Sequence, residues 1–274
     1  MPELPEVETV KRGLSDSITG KNIKTVLLRR SGLRYPFPKN FINILEGSTI
    51  KSVERRSKYL LINLDNGQTI IMHLGMSGRV VVQNKIRNDH AKHDHVIITF
   101  NDGTTLIYND ARRFGLMELC ETTKLNSHKY LKDIGPEPLD KKFNGEILFA
   151  RLKNKNVDMK AALMDQRVVA GLGNIYVCES LFETGISPKR KAGKLSRDKA
   201  NELVPVIKKV LEAAIKSGGS TLRDYVRSTG DIGYFQHQFK VYGREKEPCV
   251  KCGNKIQRIV QSGRSTFYCN NCQK

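Results

Sequence analysis

Four cysteines close to the carboxyl end restrict what this chain can fold into more than any other feature of the sequence. They form two Cys-x-x-Cys pairs, Cys249 with Cys252 and Cys269 with Cys272, and sixteen residues separate the pairs. Each pair can grip one ion from a tight turn, and a connection of this length lets two pairs meet as a tetrahedral four-thiolate site. Gly253 suits the positive φ that such a turn needs. The spacing predicts one structural zinc ion, with two disulfides or a redox pair as the alternative.

A zinc ion held by four thiolates has no open coordination position, so we expect it to stabilise the fold and not to take part in chemistry. The segment around it is too short to fold without the metal. The remaining cysteines, Cys120 and Cys178, lie in apolar stretches and are expected to be core residues.

The residues between the two cysteine pairs predict a β-hairpin whose tip is Ser262-Gly263-Arg264. An arginine at the tip of a zinc-bound hairpin, in a basic protein, is suited to binding a phosphate group. From these residues alone, a solvated surface arginine remains an equal alternative.

The charge of the chain indicates a polyanionic partner. Forty-seven basic residues stand against twenty-eight acidic ones in 274 residues, which gives a formal net charge of +19 and a pI near 9.7. Nucleic acid is the leading candidate, and an anionic membrane surface is the weaker one because the sequence has no long basic amphipathic segment. No apolar run reaches membrane-spanning length. Six cysteines, four of them in metal-ligand spacing, fit a reducing cytoplasm, and the length suggests two domains.

The first half of the sequence predicts one short helix, Glu6–Leu14, followed by many short strands. Asp65-Asn66-Gly67 and Asn101-Asp102-Gly103 are hairpin signals between strands. Short strands joined in this way predict a β-sandwich or barrel. The expected strands are Thr25–Leu28, Ser48–Ile50, Tyr59–Ile62, Gln68–Ile71, Arg79–Val82, Val96–Phe100 and Thr104–Tyr108.

Proline and glycine in Ile134-Gly135-Pro136-Glu137-Pro138 mark a domain linker. Helices dominate beyond it, and the polar stretch Gly218–Gly233 is expected to be a mobile loop. Short strands return around the cysteines. The expected helices of this four-helix unit are Asn144–Lys153, Lys160–Asp165, Asn174–Thr184 and Arg197–Ser217.

A glycine-rich corner, Gln166–Tyr176, joins two of these helices. Gly171 and Gly173 allow a sharp turn, and Asn174 is expected to be the N-cap of the next helix. The free N–H groups behind the cap form an anion site that suits a DNA phosphate. A helical corner without any ligand is the alternative, because the glycine pattern alone is weak.

The amino-terminal residues Met1-Pro2-Glu3-Leu4-Pro5-Glu6 have none of the features of a secretion signal. If Met1 is removed, Pro2 becomes a terminal secondary amine, which titrates at about 8, well below lysine. Such an amine can attack a sugar C1′ and form an iminium ion, with Glu3 beside it as a proton donor or acceptor. The alternative is an ordinary helix start with acidic residues in its first turn.

Together these motifs resemble the bacterial formamidopyrimidine-DNA glycosylases, which are 8-oxoguanine DNA glycosylase/AP lyases. The resemblance spans essentially the whole chain in the family's order, and Leu4 favours this branch over the endonuclease VIII-like branch, whose members typically begin Pro-Glu-Gly-Pro. The matching motifs are Pro2–Glu8, Lys58–Leu60, His73–Arg79, His93–His95, Asp110–Gly115, Gly135–Pro138, Gly171–Tyr176 and the four-cysteine segment.

The resemblance implies catalytic roles for five residues. Pro2 would be the nucleophile that displaces the damaged base and forms the Schiff base with C1′, and Glu3 would donate a proton as the sugar ring opens. Glu6 would orient the amine, and Lys58 would donate a proton in β-elimination. Arg264 would bind the target phosphate and serve δ-elimination.

The resemblance also implies DNA contacts. The target nucleotide must leave the stack before its C1′ can be attacked, and Met76, Arg112 and Phe114 would fill the gap; from sequence alone, core packing is the alternative for Met76 and Phe114. His93 would contact a phosphate, since His93-x-His95 lacks the further ligands of a metal site.

Asn174 and the helix after it would hold the backbone in a helix–two-turn–helix motif. Where the family often has a DNA-contacting lysine, the aligned residue is Asn156. Lys155 is therefore the candidate for that contact, and the sequence leaves the choice open.

The resulting expectation is an α+β multidomain protein. It comprises an N-terminal catalytic β-sandwich with flanking helices (1–134), a helix–two-turn–helix domain (135–228) and a four-cysteine zinc finger (240–274). The expected function is a bifunctional base-excision-repair glycosylase/AP lyase that removes oxidised purines, with one structural zinc ion, damaged duplex DNA as its partner and no membrane. We expect a monomer in the bacterial cytoplasm, associated with the nucleoid. The alternatives are an oxidised-pyrimidine glycosylase of the endonuclease VIII type and a non-catalytic zinc-ribbon DNA-binding protein.

Overall fold

The computed structural model describes residues 2–84, 89–219 and 239–274. These residues divide into two compact units. The first comprises residues 2–132 with 217–219, and the second comprises residues 133–216 with 239–274. None of the helices among these residues is both long and apolar enough to cross a bilayer.

The first unit begins with helix α1, Leu4–Ile18, and is otherwise built mainly of strands. Eight strands and the short helix α2, Phe41–Leu45, follow α1. The strands are β1 Ile23–Leu28, β2 Ile50–Arg56, β3 Tyr59–Leu64, β4 Gln68–His73, β5 Arg79–Gln83, β6 Asp94–Phe100, β7 Thr105–Asn109 and β8 Leu116–Glu121. A 3-10 helix, Thr122–Ser127, follows β8.

The eight strands form two antiparallel four-stranded sheets, ordered β1-β6-β7-β5 and β2-β3-β4-β8. Buried side chains of both sheets pack with those of α1 and α2 in one apolar core, for example Leu14, Phe41, Leu60, Ile98 and Tyr108. Both sheets are therefore held by the same core, as the sequence predicted for a β-sandwich.

The second unit contains four helices and a hairpin. The helices are α3 Gly145–Leu152, α4 Met159–Met164, α5 Asn174–Glu183 and α6 Arg197–Lys216, with a 3-10 turn at Ala192–Lys194. The hairpin consists of β9 Gln257–Gln261 and β10 Arg264–Tyr268. Both residues of its two-residue turn, Ser262 and Gly263, have positive φ, 48° and 71°, which matches the twist of a tight hairpin.

The predicted fold class is confirmed, and individual elements differ from the expectations in three places. The expected strand Ser48–Ile50 is wrong: the strand is β2, which starts at Ile50 and carries charged residues along its exposed side. Helix α2 and strand β8 were not predicted. Cys120 is half-buried on β8 and does not belong to the core, whereas Cys178 is buried as expected. Most of the expected mobile loop Gly218–Gly233 lies outside the described residues.

Candidate active site and nucleic-acid interface

The start of helix α1 brings two of the predicted catalytic residues together. Pro2 is buried and directly precedes Glu3, the N-cap of α1. Glu3 and Glu6 form a reciprocal capping box, in which each carboxylate accepts a hydrogen bond from the other residue's backbone N–H; Glu3 N to Glu6 Oε2 is 2.9 Å. Both side chains are almost completely buried. Two carboxylates are thus held beside Pro2, where the positive end of the helix dipole stabilises negative charge.

Gly219 covers the Glu6 side chain. A Cβ atom added at Gly219 would lie 3.2 Å from Glu6 Cγ and 3.3 Å from Glu6 Oε1, and its φ of +84° also favours glycine. Glu6 therefore lies against the backbone of the chain on one side and accepts a hydrogen bond from Glu3 on another. This fixed geometry is what an orienting residue requires.

Lys58 lies in the turn between β2 and β3 and is largely buried. The preceding residue, Ser57, has a φ of 55°, and its carbonyl oxygen accepts a hydrogen bond from Arg55 Nη1 at 3.0 Å. The same guanidinium group pairs with Glu8 of helix α1 at 2.8 Å. An ion pair therefore ties the turn that carries Lys58 to the helix that begins beside Pro2.

His73, at the end of β4, is electrostatically coupled to Lys58. Burial, followed by the positive charges of Lys58 and Arg34, lowers the pKa of His73 to about 4. The ring is therefore neutral at pH 7, and its Nδ1 accepts a hydrogen bond from the backbone N–H of Gly75 at 3.0 Å. That bond places the ring proton on Nε2.

The three predicted gap-filling residues lie on two loops of the first unit and are exposed. Met76 is 36% exposed and Phe114 45% exposed, which excludes the core-packing alternative for both. Arg112 is exposed, and its guanidinium carbon lies 4.9 Å from the centre of the Phe114 ring, within the range of a cation–π contact. The loop between β7 and β8 therefore presents an apolar ring and a planar cation next to each other.

His93 is half-buried, with its ring 6.3 Å from that of His95. The His95 ring hydrogen-bonds to the carbonyl oxygen of Asp110 through Nε2 at 2.9 Å. Among the described residues, the groups of three or more potential ligands close enough for a metal do not include either histidine.

In the second unit, Asn174 contacts strand β10, which begins at Arg264, but Asn174 does not have its expected role as a cap. Gly173 is the N-cap of α5, and Asn174 is the first residue of the helix. The Asn174 amide donates to the carbonyl oxygen of Ser265, next to Arg264, at 2.9 Å. The backbone N–H groups at the start of α5 thus lie next to β10, while the Arg264 side chain is exposed at the hairpin tip.

Lys160 and Glu179 support this region and were not singled out from the sequence. The ammonium group of Lys160 is buried beneath β10 and donates to Thr266 Oγ1 at 2.7 Å and to Ser265 O at 3.2 Å. Glu179, which is buried on α5, accepts hydrogen bonds from the backbone N–H groups of residues 240–242. The ring of Tyr242 in turn packs edge-on against that of Phe267 on β10.

The signal that could have identified both residues is a charge on an otherwise apolar helix face. Lys160 is buried next to Leu163 on α4, and Glu179 lies within the run of buried residues Ile175–Phe182 on α5. A charged residue almost never lies in such a position unless it is paired.

Lys155 is partly exposed, and its ammonium group lies 3.9 Å from Asp165 Oδ2. Asp165 belongs to the residues lining a hollow of about 230 Å³ that also includes Lys160 and Arg264. Asn156 is exposed, and its carbonyl oxygen accepts a hydrogen bond from Lys191. The Lys155 side chain therefore contacts Asp165, which lines the same hollow as Arg264. The contact described for Asn156 is made by its backbone.

The four cysteines meet the geometric requirements of a zinc site. Their sulfur atoms all lie within 4.8 Å of one another, with Cys249 to Cys272 at 3.9 Å and Cys252 to Cys269 at 3.5 Å. A tetrahedral ion with Zn–S bonds of about 2.3 Å requires sulfur atoms about 3.8 Å apart. Gly253 has a φ of 75°, as predicted. One structural zinc ion therefore fits these four thiolates.

Three successive segments of the chain each match a known domain family. Residues 1–117 match the formamidopyrimidine-DNA glycosylase N-terminal domain, and residues 134–226 match the formamidopyrimidine-DNA glycosylase H2TH domain. Residues 246–274 match the zinc finger found in FPG and IleRS.

Individual relatives match over their full length. The chain is 53% identical to the formamidopyrimidine-DNA glycosylase of Dinoroseobacter shibae and 50% identical to that of a Jannaschia species, with 100% of each chain covered. Among solved structures, MutM bound to DNA containing carbocyclic 8-oxo-G has a TM-score of 0.92 at 35% identity and full coverage of both chains.

Two solved complexes of Lactococcus lactis Fpg are similarly close. The complex with DNA containing an abasic site has a TM-score of 0.92 over 99% of each chain. The complex with DNA containing an oxidised pyrimidine has a TM-score of 0.91 over 100% of each chain. Both are 35% identical to this chain.

Proposed function

Because this chain belongs to the formamidopyrimidine-DNA glycosylase family, we propose that it attacks damaged DNA with the terminal amine of Pro2. The chain is accordingly a base-excision-repair DNA glycosylase with AP lyase activity, and its substrates are oxidised purines in DNA.

The capping box of Glu3 and Glu6 directly after Pro2 gives the main support for attack by the Pro2 amine. Once Met1 is removed, the Pro2 nitrogen forms a bond to C1′ while the bond between C1′ and the damaged base breaks. The base departs with the bonding electrons, and overall it takes up the proton that the amine loses. Glu3 protonates the ring oxygen of the sugar as the ring opens, which leaves an iminium ion between Pro2 and C1′. Glu6, fixed by the Glu3 backbone and by Gly219, orients the amine.

Lys58 and Arg264 serve the strand-cleaving steps. The iminium ion is an electron sink, so a proton can leave C2′ and the 3′ phosphate can depart in β-elimination. Lys58 supplies a proton in this step, and Arg264 binds the target phosphate and assists departure of the 5′ phosphate in δ-elimination. Lys58 is held by its turn, and Arg264 is held at the end of a zinc-bound hairpin.

DNA binding uses residues of both units. We assign Asn174, through the start of α5, and Lys155 to phosphates in the second unit, and His93 to a phosphate in the first. Met76, Arg112 and Phe114 occupy the space left by the extruded nucleotide. An excess of nineteen positive charges favours this binding and makes it dependent on salt.

We propose that three segments of the chain have different roles. Residues 1–134 supply the nucleophile, residues 135–228 grip the backbone, and residues 240–274 position Arg264 through the zinc site. We also propose that the protein acts as a monomer, since the residues assigned to both the glycosylase and lyase steps come from one chain. We place the protein in a reducing bacterial cytoplasm, where the DNA of the nucleoid is its substrate. Reducing conditions there keep the four thiolates available for zinc.

Borohydride trapping tests the role of Pro2. The wild-type protein should form a covalent complex with duplex DNA that contains 8-oxoguanine, and Pro2→Gly should form less. A variant with a short extension before Pro2 should form none, because its amine is blocked. Pro38→Ala, which removes a proline elsewhere in the first unit, is the control and should trap like wild type. Full trapping by the extended variant would refute the proposal.

An oxidised pyrimidine is the second candidate substrate, because a relative has been solved with such DNA. Excision from 8-oxoguanine:cytosine and thymine-glycol duplexes compares the two directly. Faster excision of 8-oxoguanine supports the purine assignment, and faster excision of thymine glycol overturns it. A non-catalytic zinc-ribbon protein is set aside, since the family consists of enzymes.

A further inference from the structure

Asp110 is a completely buried acidic residue to which the proposed mechanism gives no role. It follows strand β7 and directly precedes the loop that carries Arg112 and Phe114. A buried carboxylate is costly unless donors surround it. The contacts of this residue therefore indicate what its burial achieves.

Within the described part of the chain, the Asp110 carboxylate has four hydrogen-bond partners, and each of them is a donor. Oδ1 accepts from Ser77 Oγ at 2.6 Å and from the backbone N–H of Arg112 at 3.3 Å. Oδ2 accepts from the backbone N–H of Gly115 at 2.9 Å and from the Tyr108 hydroxyl at 3.3 Å. Burial, and next the Asp110 charge, raise the pKa of Tyr108 well above its usual value, so this hydroxyl remains a donor.

These bonds connect the two loops that carry the gap-filling residues. Ser77 directly follows Met76, and its hydroxyl both donates to Asp110 and accepts from the Arg112 N–H at 3.1 Å. On the other loop, Asp110 holds the backbone at Arg112 and at Gly115, the residues on either side of the Phe114 segment. One carboxylate and one hydroxyl thus fix the backbone next to Met76, Arg112 and Phe114.

The backbone of Asp110 extends the connection to a third DNA-facing stretch. Its N–H donates to the carbonyl oxygen of His93 at 3.0 Å, and its carbonyl oxygen is the partner of the His95 ring. The segment that presents His93 is therefore held by the same residue that holds the gap-filling loops.

Glycine contacts show that the two loops pack without space between their backbones. A Cβ atom at Gly75 would collide with the backbone of Phe114 and Gly115, and a Cβ atom at Gly115 would collide with the Tyr108 hydroxyl. The hydrogen bonds of Asp110 and Ser77 therefore lie within closely packed backbone, where they are well shielded from water.

We propose that Asp110 and Ser77 are positioning residues that keep Met76, Arg112 and Phe114 together as one preformed wedge for extrusion of the damaged nucleotide. The proposal rests on the function proposed above and extends it. Extrusion costs the free energy of unstacking and unpairing a base, and a wedge that is already ordered does not also lose conformational entropy when it enters the DNA.

Ser77→Ala tests the wedge because it removes the connecting hydroxyl and no other atom. Ser48→Ala is the matched control. Ser48 is buried to the same degree as Ser77, 7% against 8% exposed. Its hydroxyl likewise donates one hydrogen bond, to Ile44 O, and accepts one, from Asn66. The control therefore carries the structural cost of losing a buried hydroxyl but leaves the wedge intact.

The readout compares a substrate that needs extrusion with one that has no base to extrude. In single-turnover reactions, Ser77→Ala should excise 8-oxoguanine from a duplex about tenfold more slowly. A tenfold slower rate corresponds to an activation free energy that is higher by about 1.4 kcal/mol, the size expected for one lost hydrogen bond. Cleavage of a preformed abasic site should stay within about threefold of wild type, since no base must leave the stack. Ser48→Ala should change neither rate.

A lesion beside a mismatched base pair supplies a second readout, because a weakened stack lowers the cost of extrusion. The defect of Ser77→Ala should shrink in such a duplex, whereas a general loss of stability would leave it unchanged. Equal loss on 8-oxoguanine and abasic DNA, or excision no slower than in Ser48→Ala, would overturn the inference.

Asp110→Asn should show the same selective defect in its folded fraction. The asparagine amide replaces one acceptor oxygen by an NH2 donor, which then faces the donors that surround Asp110. If this variant does not fold, Ser77→Ala alone decides. Failure of the wedge and failure of the Pro2 mechanism can be told apart, since wild-type trapping by borohydride tests only the latter.

Discussion

The carboxylate of Glu8 and the guanidinium group of Arg55 meet at 2.8 Å, and this pair joins the helix that begins beside Pro2 to the turn that carries Lys58. The two side chains are only 14% and 9% exposed. Burial alone would raise the pKa of Glu8, but hydrogen bonds from arginine, Arg55 first, outweigh it and lower that pKa. The pair therefore stabilises the protein at neutral pH, and this stabilisation is lost as the pH falls through the lowered pKa of Glu8.

Arg55→Met should weaken both the fold and the lyase step. The change keeps much of the side-chain volume but removes the main partner of a poorly exposed carboxylate, so we expect the free energy of unfolding to fall by about 2 kcal/mol. Cleavage of abasic DNA should slow about tenfold, because a loosened turn misplaces Lys58. Urea denaturation and single-turnover cleavage measure the two effects.

Arg197→Met is the control for that prediction. It also removes an arginine from an ion pair, with Glu146, but both partners are about half exposed or more. Such pairs contribute about 0–1 kcal/mol, so stability and cleavage should change little. Similar losses in the two variants would mean that the Glu8–Arg55 pair has no special role.

Lys160→Met should separate DNA binding from nucleophilic attack. Without the buried ammonium group, Thr266 Oγ1 loses the Lys160 donor, and Ser265 O keeps the Asn174 amide but loses Lys160. The start of β10, which presents Arg264, therefore loosens. We expect stability to fall by about 2 kcal/mol and DNA affinity to fall about tenfold. Borohydride trapping at saturating DNA should remain close to wild type, since Pro2 is unaffected.

Lys208→Met provides the comparison, because it removes an equally charged group from an exposed hydrogen bond to Asp140 O. A variant that only lost one positive charge would behave like Lys208→Met. Equal affinities for the two variants, measured by fluorescence anisotropy at one salt concentration, would therefore show that Lys160 does not support Arg264.

Removal of zinc should release the hairpin and leave the first unit folded. Structural four-ligand zinc sites contribute about 10 kcal/mol or more of folding free energy. A chelator should therefore remove one zinc ion per chain, raise hydrogen exchange across residues 246–274 and abolish strand cleavage, while helix α1 keeps its protection. Added zinc should restore cleavage.

Cys120→Ser is the control for the zinc site, since Cys120 lies on β8 outside the cluster. It should bind one zinc ion, as wild type does, whereas Cys272→Ser should lose the ion. Native mass spectrometry measures the number of zinc ions bound by each variant. A hairpin that stays protected after complete removal of zinc would contradict the structural role.

The sequence predicted those parts of the molecule that depend on local patterns. Asp65-Asn66-Gly67 identifies the β3–β4 turn, and the cysteine spacing identifies the zinc site, because both are determined by residues close together in the chain. Strand β2 was misplaced for a local reason as well. Its buried residues, Ile50 and Val53, are three apart and its exposed positions are charged, so it lacks the alternation typical of a strand.

The groups that hold the site in place could not be predicted, because their contacts join distant parts of the chain. Lys160 and its partner Thr266 are 106 residues apart, and Ser77 and Asp110 are 33 apart. The motifs indicate which side chains carry chemistry. Which buried charge supports which loop depends on packing, and a single sequence does not show it.

The coupling between His73 and Lys58 makes a pH-dependent prediction. An unfolded histidine titrates at about 6.5, whereas burial and the charges of Lys58 and Arg34 lower the pKa of folded His73 to about 4. Between these values the unfolded chain binds more protons than the folded one, so His73 costs stability progressively as the pH falls from about 6.5 to about 4. His73→Asn keeps an acceptor for the Gly75 N–H but cannot be protonated. Urea unfolding at pH 7 and pH 5 should therefore show a smaller loss for His73→Asn than for wild type, and equal losses would show that His73 does not resist protonation.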